Sequence, residues 1–314
     1  MKEKLIVIVG PTAVGKTALG VYLAKAFNGE VISGDSMQVY KGMDIGTAKV
    51  TDEERQGVPH YLIDIKEPEE SFSVAEFQER CIPLIQELNK EGKLPFLVGG
   101  TGLYVNAVIH RFDFTIKPVD DVNYRKELEA FATKHGNEAL YQQLRNVDPK
   151  ATEVIHPNNV RRVIRALEVY HVTGVPFSEQ QTEENQDSPY DVIMIGLTMD
   201  REMLYQRINE RVDLMIKSGL IEEVKSLKER GIKNCQSVQA IGYKEIYDYL
   251  DGNCSKEEAI ETLKQNSRRY AKRQLTWFRN KADATWFDMT SREKVEIFSE
   301  IRNFVEGKLT QLSK

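Results

Sequence analysis

Residues Gly10-Pro11-Thr12-Ala13-Val14-Gly15-Lys16-Thr17 lie between the apolar run Leu5 to Val9 and the helix-like segment Ala18 to Ala24. A strand, a glycine-bearing loop and a helix in that order form a phosphate cradle, which commits the chain to an α/β fold built on a parallel sheet. The backbone of Gly10, Thr12, Ala13, Val14 and Gly15 can converge on a phosphate at a helix N-terminus. Lys16 adds a point charge, and the Thr17 hydroxyl is the candidate ligand for Mg2+. A di- or triphosphate binds here, but the loop does not say whether it is a nucleotide tail or a leaving group.

Further apolar runs, Val31 to Ile32, Tyr61 to Ile65, Phe96 to Val98 and Val192 to Leu197, are bounded by turn residues. Helix-length segments separate the first four runs, the rhythm of a P-loop NTPase-like parallel sheet flanked by helices. Ser73 to Glu76 has capping-box spacing, and Phe77, Cys81, Leu84, Ile85 and Leu88 then recur at helical spacing until Gly92 and Pro95. From about Thr115 to Pro189 the strand rhythm stops. Tyr124 to His135, Glu138 to Arg145 and Asn159 to Thr173 read as helices, and Glu179 to Ser188 as a polar surface linker. The expected organisation is a core of residues 1–114 and 190–314 interrupted by an all-helical domain at 115–189, with a mostly helical C-terminal part.

The chain has 314 residues, a net charge of −5, 41% apolar and 29% charged residues, ordinary values for a soluble globular protein. An acidic chain argues against a global polyanion-binding field, so any such site must be a local basic patch. Cys81, Cys235 and Cys254 are too scattered for a zinc site or a disulfide framework. The N-terminal apolar run is too short for a signal peptide, and no stretch approaches the ~18 apolar residues of a membrane span. The expectation is a cytoplasmic protein with no membrane contact.

The second strand runs into Gly34-Asp35-Ser36-Met37-Gln38-Val39-Tyr40 and the fourth into Gly99-Gly100-Thr101-Gly102. Ligands sit beyond the carboxyl ends of strands in an open parallel sheet, so Lys16, Asp35 and Thr101 are expected to share one crevice. A carboxylate there is either a magnesium-linked acid or a general base. Lys264 to Lys281 holds seven basic residues, Lys264, Arg268, Arg269, Lys272, Arg273, Arg279 and Lys281, and no acidic one. On a helix, Arg268, Lys272 and Arg279 share a face, which fits a surface tracking a phosphate backbone better than a merely solvated helix. A second cluster, Arg161, Arg162 and Arg165, follows His156-Pro157-Asn158-Asn159. Two basic elements separated by a long insertion suggest a clamp on something larger than a nucleotide.

With these segments in view, the chain resembles the tRNA dimethylallyltransferases (IPP transferases). The likeness lies in Gly10 to Thr17, Asp35 to Lys49, Val98 to Tyr104, His156 to Asn158, Arg165 to Val169, Gly242-Tyr243 and Ala271 to Arg279. The resemblance implies transfer of a dimethylallyl group from dimethylallyl diphosphate to N6 of adenosine 37 of tRNA, beside the anticodon. The loop then holds a leaving diphosphate, Asp35 is the general base, Thr101 keeps the adenine in register, and Arg211 assists Lys16 and Mg2+ at the diphosphate. The implied tRNA contacts are Ser36, Met37, Gln38, Arg161, Arg162, Arg165, Gln239, Gly242, Tyr243, Lys244, Lys272, Arg273, Gln274, Thr276, Trp277 and Arg279. The adenine flips out of its stack to reach Asp35, and the enzyme acts as a monomer. No zinc-finger cysteine spacing is present, which points to the bacterial form. Lys244 stands where some members carry arginine.

Other readings compete on the residues alone. A P-loop kinase or NTPase accounts for residues 10–17, yet the Phe96 to Val98 strand ends in glycines where many NTPases place a metal-linked aspartate. A non-catalytic RNA-binding protein leaves Lys16 and Asp35 without purpose. A prenyltransferase acting on free adenine nucleotides does not need the two basic clusters.

Overall fold

In β1 (Glu3–Val9) Leu5, Val7 and Val9 face one side of a sheet and Ile6 and Ile8 the other, and all five are fully buried. A strand buried on both faces must be central, each such side chain contributing about 2 kcal/mol. The computed structural model, which describes residues 2–112, 114, 122–180 and 188–312, makes β1 the fourth of six strands. The order is β3-β2-β4-β1-β5-β6, and every pairing is parallel. The remaining strands are β2 (Gly29–Ser33), β3 (His60–Tyr61), β4 (Leu94–Val98), β5 (Tyr190–Thr198) and β6 (Thr285–Asp288).

Helix α1 (Lys16–Ala26) follows β1, and the one-turn α2 (Asp52–Arg55) precedes β3. Helix α3 (Val74–Lys90) leads into β4, and α4 (Gly102–His110) leaves it. The inserted segment holds α5 (Val122–His135), α6 (Asn137–Val147), α7 (Ala151–Val154), α8 (Val160–Thr173) and α9 (Phe177–Gln180). After β5 come α10 (Arg201–Lys217), α11 (Leu220–Glu229), α12 (Tyr243–Leu250) and α13 (Lys256–Lys281), and α14 (Lys294–Leu312) follows β6. Two compact units result: residues 1–111 with 188–314, and residues 112–187. The smaller unit has its own core of Leu128, Leu140, Leu144, Val163, Ile164 and Leu167.

Several local expectations need correction. Of the Tyr61 to Ile65 run only Tyr61 is strand, paired with His60 in β3, because Leu62 and Asp64 have φ of 61° and 56°, left-handed values that end an extended segment. Between β2 and β3 there is a long loop with the single turn α2 instead of a full helix. The loop is held by Lys49, whose Nζ donates to the Tyr40 carbonyl at 2.8 Å and to Asp44 and Asp64, both at 2.5 Å. The capping box at α3 is half made: Ser73 Oγ caps the Glu76 amide, but the Glu76 carboxylate pairs with Lys66 and Arg80. Strand β6 is absent from the sequence reading, being four residues long with only Phe287 buried. Most of the polar run Glu179 to Ser188, and the start of the insertion at Thr115, lie outside the described residues.

Candidate active site

The carboxyl ends of β1, β2 and β4 carry the phosphate loop, Asp35 and Thr101, the crevice-forming ends of a parallel sheet. Their close approach depends on glycine: a Cβ on Gly99 would lie 2.3 Å from the Gly34 carbonyl oxygen, and one on Gly10 would lie 2.6 Å from that of Leu197. In the loop Ala13 and Gly15 take φ of 66° and 108°, and Gly15 caps α1 with no side-chain bond. Left-handed residues immediately before a helix turn backbone amides inward, the nest geometry that holds an anion.

Two cations attend this nest. Lys16 Nζ donates to the Pro11 carbonyl at 2.8 Å, and the guanidinium of Arg211, from α10, reaches Thr12 Oγ1 at 3.5 Å. Neither forms an ion pair with any described residue. Loss of solvent, then the nearby Arg211 charge, depress Lys16 to about 8, with Asp35 opposing. Arg211 is lowered as well, chiefly by loss of solvent, with Glu54 and Asp35 opposing. Two half-buried cations without an ion-pair partner among the described residues, beside a nest, are an arrangement suited to a polyanion.

This charge leaves a signature in stability. Lys16 has a folded-state value below its ordinary 10.5, so the unfolded chain binds more protons between about pH 8 and 10.5 and stability rises with pH across that window. The penalty is present in full below pH 8 and amounts to at most about 3 kcal/mol. Thermal midpoints of the ligand-free protein across pH 7 to 10 should show this rise, and Lys16→Met should flatten it. Parallel curves for the two proteins would contradict the assignment.

Asp35 is oriented by its own chain. Its Oδ1 accepts from the amides of Met37 at 2.8 Å and Gln38 at 3.3 Å, and no described residue engages Oδ2. An Asx turn thus fixes the carboxylate through Oδ1 and leaves Oδ2 able to accept a further hydrogen bond. Gln38 is fixed in turn: its Oε1 accepts from Ser33 Oγ at 3.1 Å, and its Nε2 donates to the carbonyls of Thr47 and Ala48, each at 3.3 Å. Thr101 Oγ1 is buried and makes no well-formed hydrogen bond. The Tyr270 phenol lies close to it, and that phenol is pushed up to about 12, mainly by burial and then by Asp35. A buried hydroxyl with no well-formed partner is a place for a hydrogen-bonding ligand.

Glu223 was not signalled by the sequence. Its carboxylate accepts from the amides of Asp44, Ile45 and Gly46 at 2.8 to 3.1 Å and from the Tyr243 hydroxyl at 2.6 Å, anchoring the loop that follows Asp35. Its only sequence mark is an acidic residue in the first turn of a helix.

Several expected RNA contacts have other positions. Tyr243 is fully buried, its hydroxyl spent on Glu223 and its ring against Gly46, so it is a core residue. Gly242 is buried at the start of α12 with φ 103°, a backbone requirement. Gln274 is 6% exposed and turned inward. Arg165 pairs with Glu168 at 3.8 Å, which Arg125 also grips through two bonds of 2.6 and 2.8 Å. In α13 two of the basic residues have partners on α10: Lys264 pairs with Asp213 at 2.7 Å, besides Glu261 of its own helix at 3.5 Å, and Arg268 donates to the Asn209 side-chain carbonyl at 2.6 Å.

Arg269, Lys272, Arg273, Thr276 and Arg279 remain exposed on α13, as do Arg161 and Arg162 on α8 and Gln239 in the 3-10 turn Ser237–Gln239. Arg279 also donates to Thr198 Oγ1 at 3.4 Å. Ser36, Met37, Lys244 and Trp277 are partly buried, with Lys244 3.7 Å from Glu245 and the Trp277 ring against Gly102.

A family model described as IPP transferase matches residues 38–281. The chain belongs to the IPP transferase family. A tRNA dimethylallyltransferase of Halalkalibacterium halodurans is 65% identical over 315 residues, covering all of both chains. One from Bacillus mycoides is 60% identical over 98% of this chain and 96% of its own. The crystal structure of a full-length tRNA isopentenylpyrophosphate transferase from Bacillus halodurans matches with a TM-score of 0.77 at 63% identity, over 99% of this chain and 98% of that one. A eukaryotic dimethylallyltransferase acting on tRNA matches with a TM-score of 0.81 at 32% identity, over 96% of this chain and 77% of that one. The IPP transferase match begins after the phosphate loop and Asp35.

Proposed function

We propose that this IPP transferase family member transfers the dimethylallyl group of dimethylallyl diphosphate to N6 of adenosine 37 in tRNA. The observation that carries the reading is the pair of unpaired cations, Lys16 and Arg211, beside the left-handed loop and in electrostatic contact with Asp35. The relatives' names supply the class of donor and acceptor.

The N6 amine is a poor nucleophile because its lone pair is delocalised into the ring. As the new C–N bond forms at the allylic carbon, the C–O bond to diphosphate breaks and the amine proton passes to Asp35. Charge grows on the departing diphosphate, and Lys16, Arg211 and the loop stabilise it there. Thr101 and the Asx turn hold the amine and the carboxylate in line.

Among the described residues no three acidic, histidine or cysteine side chains gather as a metal cluster, and Thr17 is exposed at the first turn of α1. That donor set fits Mg2+ held by Thr17 Oγ1 and, for the most part, by diphosphate oxygens and water. When bound, the ion neutralises charge on the leaving group.

A narrow cavity of about 20 Å3, room for little more than a water molecule, is lined by Thr17, Val31, Ser33, Gln38, Val50, His60, Ile63 and Val98. A larger one of about 610 Å3 lies on the outer side of α1 and also includes Thr17. Neither is lined by Asp35, Thr101 or Arg211, and the reading rests on the charges and the orphaned hydroxyl instead of on cavity size. The exposed cations Arg269, Lys272, Arg273 and Arg279 suit a tRNA backbone. Arg161 and Arg162 are proposed as contacts of the inserted unit, acting as a helical tRNA-binding domain in a monomeric, cytoplasmic enzyme.

Labelled dimethylallyl diphosphate offered with unmodified tRNA, AMP or ATP tests the function. Label on tRNA alone is expected. Label on AMP but not on tRNA would overturn the acceptor, and ATP hydrolysis without transfer would overturn the reaction.

A further inference from the structure

Gln274 lies on the helix that carries the exposed arginines, yet its side chain points into the protein. Its Oε1 accepts from the Thr12 amide at 2.8 Å, and its Nε2 donates to the Gly100 carbonyl at 2.9 Å. The amide's orientation follows from its partners, since a backbone N–H only donates and a carbonyl only accepts. The two groups it joins belong to opposite sides of the crevice: Thr12 to the phosphate loop, Gly100 to the turn that ends at Thr101.

The fit has no slack. A Cβ on Gly100 would lie 2.1 Å from Gln274 Nε2, and one on Gly102 would lie 2.2 Å from the Trp277 ring, so α13 presses directly on this turn. Thr12 is also held through its hydroxyl by Arg211 at 3.5 Å, which makes a chain of contacts from Arg211 through Thr12 and Gln274 to Gly100.

We infer that Gln274 is a positioning residue: its amide clips the phosphate loop to the turn bearing Thr101 and so sets the distance between the leaving diphosphate and the attacking amine. This rests on the diphosphate occupying the loop. The clip needs an acceptor and a donor on one rigid, uncharged group. Leucine supplies neither, and an ionised glutamate supplies two acceptors, one of which faces the Gly100 carbonyl. Protonated glutamate restores both functions.

The test compares Gln274→Leu and Gln274→Glu with wild type by transfer kinetics on tRNA. Thermal midpoints and binding of inorganic diphosphate are measured alongside. A misplacement on the order of 1 Å costs about a hundredfold in rate, so Gln274→Leu should lose about that factor in kcat while its KM for tRNA changes less than about threefold. Activity of Gln274→Glu relative to wild type should rise as pH falls from 8 to 5.5, a readout independent of how well the leucine variant folds. Wild-type kcat in Gln274→Leu, a loss confined to KM for tRNA, or a pH-independent ratio for Gln274→Glu would each overturn the inference. Wild-type protein that fails to bind diphosphate would instead refute the occupant of the loop, a separate failure visible in the same experiment.

Discussion

Asp35→Asn should lose about 10²- to 10⁴-fold in kcat while tRNA binding stays within about threefold of wild type. Asparagine is more informative than alanine here. Asp35 Oδ1 already accepts two backbone amides, and an asparagine carbonyl preserves that turn while removing the base. Asp35→Ala loses both, so a difference between the two variants isolates the turn's contribution. Because the Asp35 carboxylate opposes an incoming anion more directly than it supports the charges on Lys16 and Arg211, the first of which stays mostly protonated at neutral pH, Asp35→Asn should not weaken binding of inorganic diphosphate. Single-turnover transfer together with tRNA binding separates these effects. Activity within about tenfold of wild type would remove Asp35 as the base.

Arg211→Met should act in opposite directions on rate and on stability. Loss of a preorganised cation at a developing negative charge costs about 3 kcal/mol of barrier, a hundredfold or more in rate. The same guanidinium is depressed mainly by loss of solvent and has no ion-pair partner among the described residues, so the ligand-free protein holds it at a cost. Methionine keeps the aliphatic packing and removes that cost, and the thermal midpoint should rise by about 3 °C. A structural arginine behaves the other way, its loss lowering the midpoint and sparing the rate. Inorganic diphosphate should then protect wild type against heat far more than the variant. Equal protection would take Arg211 out of the diphosphate site.

The elements that carry the site were legible because each combines a strong local signal with a fixed place in a parallel sheet. The apolar strand before Gly10, the glycines around Thr101 and the acidic residue after β2 put three groups at adjacent strand ends. What escaped depended on partners distant in sequence. Tyr243 and Gln274 sit in segments matching the family, but only three-dimensional packing shows that Glu223 takes one and that Thr12 and Gly100 take the other. The unbroken basic run in α13 had the same limit, because the shorter of the two ion pairs of Lys264 is made with Asp213 on a neighbouring helix. Strand β6 was hidden for a different reason. An edge strand of four residues with a single buried side chain carries almost no alternation to read.

On the proposed function, the loop at Gly10 to Thr17 holds the leaving group of a prenyl donor and not a nucleotide to be hydrolysed. The most direct measurement is the stoichiometry of diphosphate release against dimethylallyl transfer to N6 of adenosine 37, in a reaction containing tRNA, dimethylallyl diphosphate and Mg2+ but no ATP. One diphosphate for each modified adenosine, with both products lost together in Asp35→Asn and Arg211→Met, is the predicted result. Transfer that requires ATP, or diphosphate release that does not track the modified adenosine, would contradict it.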